Sequence, residues 1–387
     1  MLKGVREFYG DSRGRLYVMG LVLMLFFWWL GLRNVGSGET SVEGKKDGSY
    51  GNHIPRVFFL VAETRYAPGW CRMIVSSILT NVSVATVGMG GWYGHVSRWL
   101  WLYRYLRQKK MSEGDVIVIF DGGDTVFTGE DVREEAVKHF LDTTPKIPEA
   151  FNETAILRGE MTPPMLMAAE NFCFTPQSHF MVKTPKSERA HQCSKLYNEA
   201  FVVSNRTGLR SILRANESGR SYLNGGGIIA RVWALEEALK AFFNLRKKKF
   251  VWGCDQSMWA LLLIWSITRP ENIKPALLVR RGLISLDYET RYFLYPSKTM
   301  VMSGMILHFA GPVHVWKRTL PQYLSEINWY RALSNSSPKR EASIRLLKNS
   351  TVEMYTFWGS RKDAKLSTVC PISNISDPSW LSGQLKK

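Results

Sequence analysis

Hydrophobic positions along the chain fall into two kinds of short run, and the two kinds alternate. Strand-like runs rich in apolar residues lie at residues 56–63, 81–88, 115–120, 155–158, 165–169, 226–230 and 305–309. Runs with the spacing of a helix lie at residues 70–79, 99–108, 232–246 and 256–265. Because strands that alternate with helices build parallel βαβ units, the pattern predicts an α/β fold whose sheet is covered on both faces.

One uncharged apolar run, residues 16–32, is longer than any of these strands. It has 17 residues between Arg15 and Arg33, and a membrane-spanning helix needs about 17–25 apolar residues. Residues 1–15 carry four basic and two acidic side chains, an excess that holds an N-terminus in the cytosol. The sequence therefore predicts a cytosolic tail, a single N-terminal transmembrane helix that acts as a signal anchor, and a lumenal body.

A cleaved signal peptide is the alternative interpretation of this run, because the small residues Gly36, Ser37 and Gly38 follow it. The run exceeds the apolar stretch of about 7–15 residues that is usual in signal peptides, which favours the anchor. Both interpretations place the body in the secretory pathway. With the anchor, the chain is a single-pass type II protein of the Golgi, the ER or the cell surface.

Seven N-x-Ser/Thr triplets and five cysteines agree with that compartment. The triplets begin at Asn81, Asn152, Asn205, Asn216, Asn335, Asn349 and Asn374. In an oxidising lumen, five cysteines form at most two disulfides and leave one thiol. Cys173 and Cys193 bracket a polar loop that contains proline, so we expect these two to pair.

Composition divides the chain into further segments. Residues 33–54 are rich in Gly, Ser and Lys and lack apolar periodicity, which predicts a flexible stem. Residues 55–320 carry the alternating strands and helices and form the predicted folded domain. Residues 321–387 are rich in Ser and Lys and contain three of the triplets, so we expect a less ordered C-terminal extension.

Charge and composition exclude two classes of protein. The chain has 387 residues, 45% hydrophobic and 12% aromatic, so it is not intrinsically disordered as a whole. Its formal net charge of +18 would suit a polyanionic partner. However, the densest basic clusters, residues 107–110 and 246–249, are short, and no zinc-finger or RNA-binding motif accompanies them. We therefore expect no nucleic-acid partner.

The segment VIVIFDGGDTVF, residues 116–127, is the strongest candidate for a site. A buried strand ends there in two carboxylates, Asp121 and Asp124, separated by two glycines. Ligands of open α/β sheets bind beyond the carboxyl ends of the strands, and two carboxylates on a tight turn can share a divalent cation. The alternative is an ordinary β-turn, in which Asp and Gly are common for backbone reasons.

Four other segments contain candidate site residues. Glu170 ends an apolar strand, and residues 221–230 contain three consecutive glycines, which suit either a close backbone approach to a ligand or a flexible loop. Asp255 opens a helix, where it can line a site or serve as the N-cap. His308 ends an apolar strand; a lone histidine is more often structural, but the carboxylate pair lacks a third ligand.

The order Trp92, DxxDxxF, AENFC, LNGGG, DQ and HxxGP matches a known pattern. Over residues 56–316 it resembles the glycosyltransferase domain of the procollagen lysyl-hydroxylase and collagen-glycosyltransferase group. The anchor, stem and triplets make the chain most similar to the third expression-site-associated membrane glycoprotein family of African trypanosomes, which carries this domain. The resemblance implies a Rossmann-like GT-A domain that moves a hexose from a UDP-sugar to a hydroxyl of a glycan or glycoprotein.

The resemblance also implies roles for individual residues. The metal ligands would be Asp121, Asp124 and His308, and such mixed carboxylate and imidazole ligation suits Mn²⁺. The residues expected to contact the UDP-sugar are Thr64, Trp92, Asn224, Gly225 and Gly226. The candidate catalytic carboxylates, one of which would position or deprotonate the acceptor, are Glu170 and Asp255.

Departures from the family leave a second function open. The family usually has an aromatic residue just before the second metal aspartate, where this chain has Gly123. The acidic run that leads to DQ is reduced to Cys254 and Asp255. The alternative is therefore a non-catalytic membrane glycoprotein, or a lectin-like module, that retains the glycosyltransferase fold.

Overall fold

The structure is a computed structural model that describes residues 54–215, 219–247, 250–296, 303–311, 320–333 and 337–371. Its strands are β1 (Val57–Ala62), β2 (Val84–Met89), β3 (Val116–Phe120), β4 (Thr125–Phe127), β5 (Met165–Glu170), β6 (Tyr222–Arg231), β7 (Ile284–Leu286), β8 (Phe293–Leu294), β9 (Ile306–His308), β10 (Thr351–Thr356) and β11 (Ala364–Lys365). Eight of them form a central sheet in the order β11-β10-β2-β1-β3-β6-β5-β7. In this sheet β6 and β11 are antiparallel to their neighbours and the other neighbouring pairs are parallel. The fold is α/β, as the alternating pattern predicts.

Helices cover both faces of this sheet. They are α1 (Pro68–Leu79), α2 (Arg98–Gln108), α3 (Glu130–Thr143), α4 (Glu153–Leu157), α5 (Gln192–Thr207), α6 (Val232–Arg246), α7 (Asp255–Thr268), α8 (Leu320–Glu326), α9 (Asn328–Ala332), α10 (Arg340–Asn349) and α11 (Leu366–Val369). Successive side chains of a strand point to opposite faces. In β1, Leu60 therefore packs in one hydrophobic core, while Phe59 and Val61 pack in the other.

One predicted strand, residues 155–158, is wrong. These residues belong to α4 and the turn that ends it. The side chain of Asn152 accepts a hydrogen bond of 3.0 Å from the N–H of Ala155 and caps the helix. A short apolar run fits both a strand and a buried helical turn. The cap from Asn152 stabilises the helical turn.

The strands outside the central sheet form a small sheet in the order β4-β9-β8. β4 follows the loop after β3 and pairs antiparallel with β9, with Thr125 opposite His308. β8 pairs parallel with β9, with Phe293 opposite Ile306. The small sheet therefore joins the loop after β3 to the strand that ends in His308.

The C-terminal extension contributes the strands β10 and β11 to the central sheet, whereas we expected it to be less ordered. β10 pairs parallel with β2, and its residues Val352 and Met354 are buried in the core. Near the end of the described chain, Cys370 forms a disulfide with Cys71 of α1. The alternating run TVEMYT explains the strand, because it buries one face and exposes parts of the other.

Two disulfides indicate an extracellular or secretory-pathway location. The predicted pair of Cys173 and Cys193 is confirmed, and Cys254 remains a free thiol. Across the part of the chain that the structure describes, no helix has both the length and the apolar character needed to span a membrane. The predicted anchor, residues 16–32, lies outside the described residues, as do the tail before it and the stem up to residue 53.

Candidate active site

The loop after β3 places Asp121 and Asp124 beside the imidazole of His308. Because β4 pairs with β9, Nε2 of His308 lies 3.5 Å from Oδ1 of Asp124 and 3.8 Å from Oδ2 of Asp121. One potential ligand atom from each residue lies within 4.8 Å of the other two. The structure therefore brings together the three residues that we predicted as metal ligands.

These residues fit a cation. Oδ1 of Asp124 and Nε2 of His308 are buried and face each other, and neither has a hydrogen-bond partner elsewhere in the described residues. An unsatisfied buried polar atom costs about 1–3 kcal/mol, a cost that an ion between the two atoms would remove. Two carboxylates with one imidazole suit Mn²⁺ better than Mg²⁺ or Ca²⁺.

Neighbouring charges shift the pKa values of Asp121 and His308. Burial alone would raise the pKa of Asp121, but the charges of Arg98 and His308 lower it below its usual value. Burial alone would lower the pKa of His308, but Asp124 and Asp121 raise it above its usual value. Because a metal binds the neutral imidazole, a cation and a proton compete for His308.

Glu63, which follows β1, is an acidic neighbour that the sequence analysis missed. Burial and then the charges of Asp121 and Asp124 raise the pKa of Glu63 to about 7. A Cβ on Gly122 would lie 2.9 Å from Cγ of Glu63, so this glycine leaves space for the carboxylate. The signal was available, because Glu63 follows an apolar strand just as Asp121 does.

The glycines of β6 leave space for side chains of the site. A Cβ on Gly226 would lie 2.3 Å from Cε1 of His308 and 2.6 Å from Oδ2 of Asp121. A Cβ on Gly225 would lie 3.2 Å from Cβ of Gln256. These glycines belong to a strand rather than a flexible loop, and Gly226 keeps the candidate metal position open.

Glu170, at the end of β5, is buried and held by two amide side chains. Nδ2 of Asn224 donates to its Oε2 at 3.0 Å, and Nε2 of Gln256 donates to its Oε1 at 2.8 Å. The same amides accept hydrogen bonds from the N–H groups of Gly226 and Gly225 at 2.8 and 2.9 Å. Burial raises the pKa of Glu170, although the two amide donors oppose the shift. The network fixes the direction of this carboxylate.

Asp255, the first residue of α7, takes part in a buried ion pair. Its Oδ2 accepts hydrogen bonds from Nε of Arg98 and Nε1 of Trp99, each at 2.8 Å. The N-cap of α7 is Cys254, so the N-cap interpretation of Asp255 is wrong. The side chain of Asp255 therefore meets a fixed cation at the edge of the site.

Arg98 is a second residue that the sequence analysis missed. It is only 3% exposed, and it shares a face of α2 with the buried Leu102 and Tyr105. Residues spaced i, i+4 and i+7 lie on one side of a helix, and a buried cation needs a paired acid. An arginine in the apolar stripe of α2 was therefore a readable signal for an acidic partner elsewhere in the fold.

Two adjoining cavities border the candidate metal ligands. The first, of about 940 Å³, is lined by residues that include Glu170, Asn224, Gly225, Gly226, Asp255 and His308. The second, of about 850 Å³, is lined by residues that include Thr64, Trp92, Tyr93 and Gly123. Asp121, Asp124 and His95 line both. Every predicted site residue therefore borders at least one of these cavities.

The second cavity is open at Trp92 and at Gly123, the position where the resembling family usually has an aromatic residue. Trp92 is 92% exposed and lies at its rim. A Cβ on Gly123 would meet only Oε1 of Glu63, at 3.7 Å. The structure thus has room for a side chain at position 123 that the sequence does not supply.

Comparisons with known proteins assign neither a family nor a function to this chain. No protein-family model matches the chain, and no curated protein matches it.

Proposed function

We propose that the chain is a metal-dependent glycosyltransferase that moves a hexose from a UDP-sugar to a hydroxyl acceptor on a glycan or glycoprotein. The observation that carries the proposal is the position of the acidic pair and His308, at the junction of two cavities. Transfer between two substrates requires both to be held with their reacting atoms close together. The motif order that resembles the procollagen lysyl-hydroxylase group supports the same activity.

The three candidate ligands suit a role at the diphosphate of the donor. A divalent cation held by Asp121, Asp124 and His308 would supply positive charge against the charge that develops on the leaving UDP. Thr64 and Trp92 line the cavity of about 850 Å³, so we assign that cavity to the nucleotide. The cavity of about 940 Å³, which Asn224, Gly225 and Gly226 line, is then left for the donor sugar and the acceptor.

Glu170 is the stronger candidate for the group that contacts the acceptor hydroxyl. It borders the larger cavity, and burial raises its pKa, which makes the carboxylate a better proton acceptor. Asp255 borders the same cavity, but its charge is already compensated by Arg98. We therefore assign the acceptor-side role to Glu170.

The proposed setting is the lumen of the secretory pathway. The disulfides indicate a secretory-pathway or extracellular location in general terms. The finer assignment, a type II membrane protein of the Golgi, the ER or the cell surface, rests on the apolar run at residues 16–32 and the basic excess before it.

A non-catalytic glycoprotein or lectin-like module is the second candidate. The observation in its favour is that both acceptor-side carboxylates already accept hydrogen bonds, Glu170 from Gln256 and Asp255 from Arg98. Gly123 also leaves its position in the nucleotide cavity without the aromatic side chain that the family usually has there. Such a module would bind a glycan but release no UDP.

Hydrolysis of a panel of UDP-sugars by the full chain in detergent, with and without Mn²⁺, separates the two candidates. We expect UDP release that requires Mn²⁺ and falls by about 100-fold or more in Asp121→Asn, because the amide removes a charge at the leaving group. Asp131→Asn, at an exposed acid of α3, is the matched control and should retain the activity. Absence of both UDP release and Mn²⁺-dependent UDP binding would refute the transferase, and glycan binding without Mn²⁺ would favour the lectin-like module.

A further inference from the structure

Arg98 connects three elements of the site through one guanidinium group. Its Nη1 donates to Oδ1 of Asp121 in the loop after β3. Its Nη2 donates to the carbonyl oxygen of Gly225 in β6 at 2.8 Å, and its Nε donates to Oδ2 of Asp255 in α7 at 2.8 Å. The Arg98 side chain is 4% exposed, so water has little access to the guanidinium group.

The contact with Arg98 determines which oxygen of Asp121 is free. Arg98 engages Oδ1, and Oδ2 is the oxygen that lies 3.8 Å from Nε2 of His308. Asp121 can therefore offer one oxygen to a cation shared with Asp124 and His308. If Arg98 were absent, the carboxylate could rotate or bind through both oxygens.

Asp255 holds the other side of the same guanidinium. Its Oδ2 lies 2.7 Å from Nη2 of Arg98 and also accepts the indole N–H of Trp99 at 2.8 Å. Burial alone would lower the pKa of Arg98, but Asp255 and Asp121 raise it above its usual value. Arg98 is therefore a permanent cation whose direction is fixed from both ends.

We propose that Arg98 is a positioning residue that holds Asp121 as a one-oxygen metal ligand, and that Asp255 acts on the metal site through Arg98 rather than as the acceptor base. This inference rests on the proposed metal site, but it does not depend on sugar transfer. Outer groups that orient metal ligands typically change metal affinity by about 10–100-fold when they are replaced.

Lysine cannot replace this arginine, because the three contacts diverge from a planar fork. An ammonium group offers donors from a single nitrogen, whereas Arg98 uses Nε, Nη1 and Nη2 for different partners. Arg98→Lys therefore preserves the charge and loses the geometry. The double variant Arg98→Gln/Asp255→Asn also preserves the net charge and avoids an unpaired acid at position 255.

Mn²⁺ titration of the full chain in detergent, followed by the EPR spectrum of the bound ion, tests the inference. We expect Arg98→Lys and the double variant to bind Mn²⁺ about 10–100-fold more weakly, with a changed spectrum because the ligand arrangement differs. Both variants leave the net charge at the site unchanged, so charge alone predicts no change in affinity. Arg231→Lys is the matched control: Arg231 is buried but bonds to Thr144 and to carbonyl groups instead of to the site.

Each outcome has a distinct meaning. Wild-type affinity and spectrum in Arg98→Lys or in the double variant would overturn the positioning role. If one variant does not fold, as judged by circular dichroism, the other decides. A wild-type chain that binds no Mn²⁺ would overturn the metal site together with this inference. Mn²⁺ binding that depends on Arg98, without any UDP release, would leave the inference standing and overturn only the transferase.

Discussion

Asp121 directs its two carboxylate oxygens to different neighbours, Oδ1 to Arg98 and Oδ2 towards His308. The space beside Oδ2 exists because position 226 has no Cβ. At the residue scale, the candidate metal site therefore depends on the absence of a side chain at Gly226 as well as on its charged residues.

Gly226→Ala should weaken Mn²⁺ binding by about tenfold or more, which is the usual scale for disturbing a metal site. The added methyl group would lie 2.3 Å from Cε1 of His308 and 2.6 Å from Oδ2 of Asp121, so both ligands must move. Isothermal titration calorimetry of the full chain with Mn²⁺ measures the effect.

Gly129→Ala is the steric control for that experiment. Gly129 is extended, with φ −173°, and its added Cβ would meet only Val132, at 4.0 Å. It should bind Mn²⁺ as the wild type does. Equal affinity of Gly226→Ala and Gly129→Ala would mean that the ion does not occupy the space beside Gly226.

At the scale of elements, the small sheet positions His308 at the site. Asp287 forms hydrogen bonds with the backbone at the start of β8, a strand of that sheet. Oδ2 of Asp287 accepts hydrogen bonds from the N–H groups of Tyr292 and Phe293, each at 2.8 Å. Phe293 starts β8 and pairs with Ile306 of β9. β9 is only three residues long, Ile306–His308, so the turn around Asp287 supports the strand that carries the imidazole.

The stability of this turn should depend on pH. Burial raises the pKa of Asp287 to about 6, although the backbone donors oppose the shift. The folded state therefore holds the proton more tightly than the unfolded state does. The stabilisation that this tighter proton binding gives the folded state is complete below about pH 4 and is lost as the pH rises through 6. For a shift of about two pH units it amounts to roughly 3 kcal/mol.

Asp287→Asn isolates the effect, because its amide oxygen can still accept from Tyr292 and Phe293 but the group does not titrate. The bond from the N–H of Arg291 to Oδ1 is lost at every pH and therefore does not change the pH dependence. Between pH 4 and 7.5, the free energy of unfolding of the wild type should fall relative to that of the variant by about 2–3 kcal/mol. Urea unfolding at each pH gives both values. Two curves that stay parallel over this range would contradict a raised pKa for Asp287.

At the scale of the whole molecule, the chain is closed by a contact between distant segments. Cys71 and Cys370 are 299 residues apart in sequence, and their disulfide fastens α1 to the segment after α11. The disulfide between Cys173 and Cys193 closes a separation of only 20 residues. In the chain-entropy view, a longer closed loop restricts the unfolded state more strongly.

Removing the long-range disulfide should therefore cost more stability than removing the short-range one. We expect Cys71→Ala/Cys370→Ala to lose about 4–5 kcal/mol and Cys173→Ala/Cys193→Ala about 3 kcal/mol. Guanidinium unfolding without reductant measures both, and the wild type should show one free thiol, Cys254. Equal losses would show that strain or residual unfolded structure, rather than loop length, determines the effect.

The sequence by itself determined the features that depend on short-range pattern. Apolar periodicity predicted the α/β class and most strands, because alternation and helical spacing are local properties of the chain. It also located Asp121 and Asp124 at the end of β3, and the bracketed loop identified the pair Cys173 and Cys193. The prediction failed at residues 155–158, where a short apolar run is compatible with both a strand and a helix. There the cap from Asn152 stabilises the helix.

Only the tertiary structure decided which distant groups meet. Arg98 and Asp255 are 157 residues apart, and their ion pair forms because α2 and α7 converge beside β6. Glu63 gains its raised pKa from the burial and the charges that the folded sheet brings to it. β10 joins β2 across more than half of the sequence. A periodic pattern specifies which face of an element is buried, but the partner on that face depends on how the elements pack, and that packing created the site.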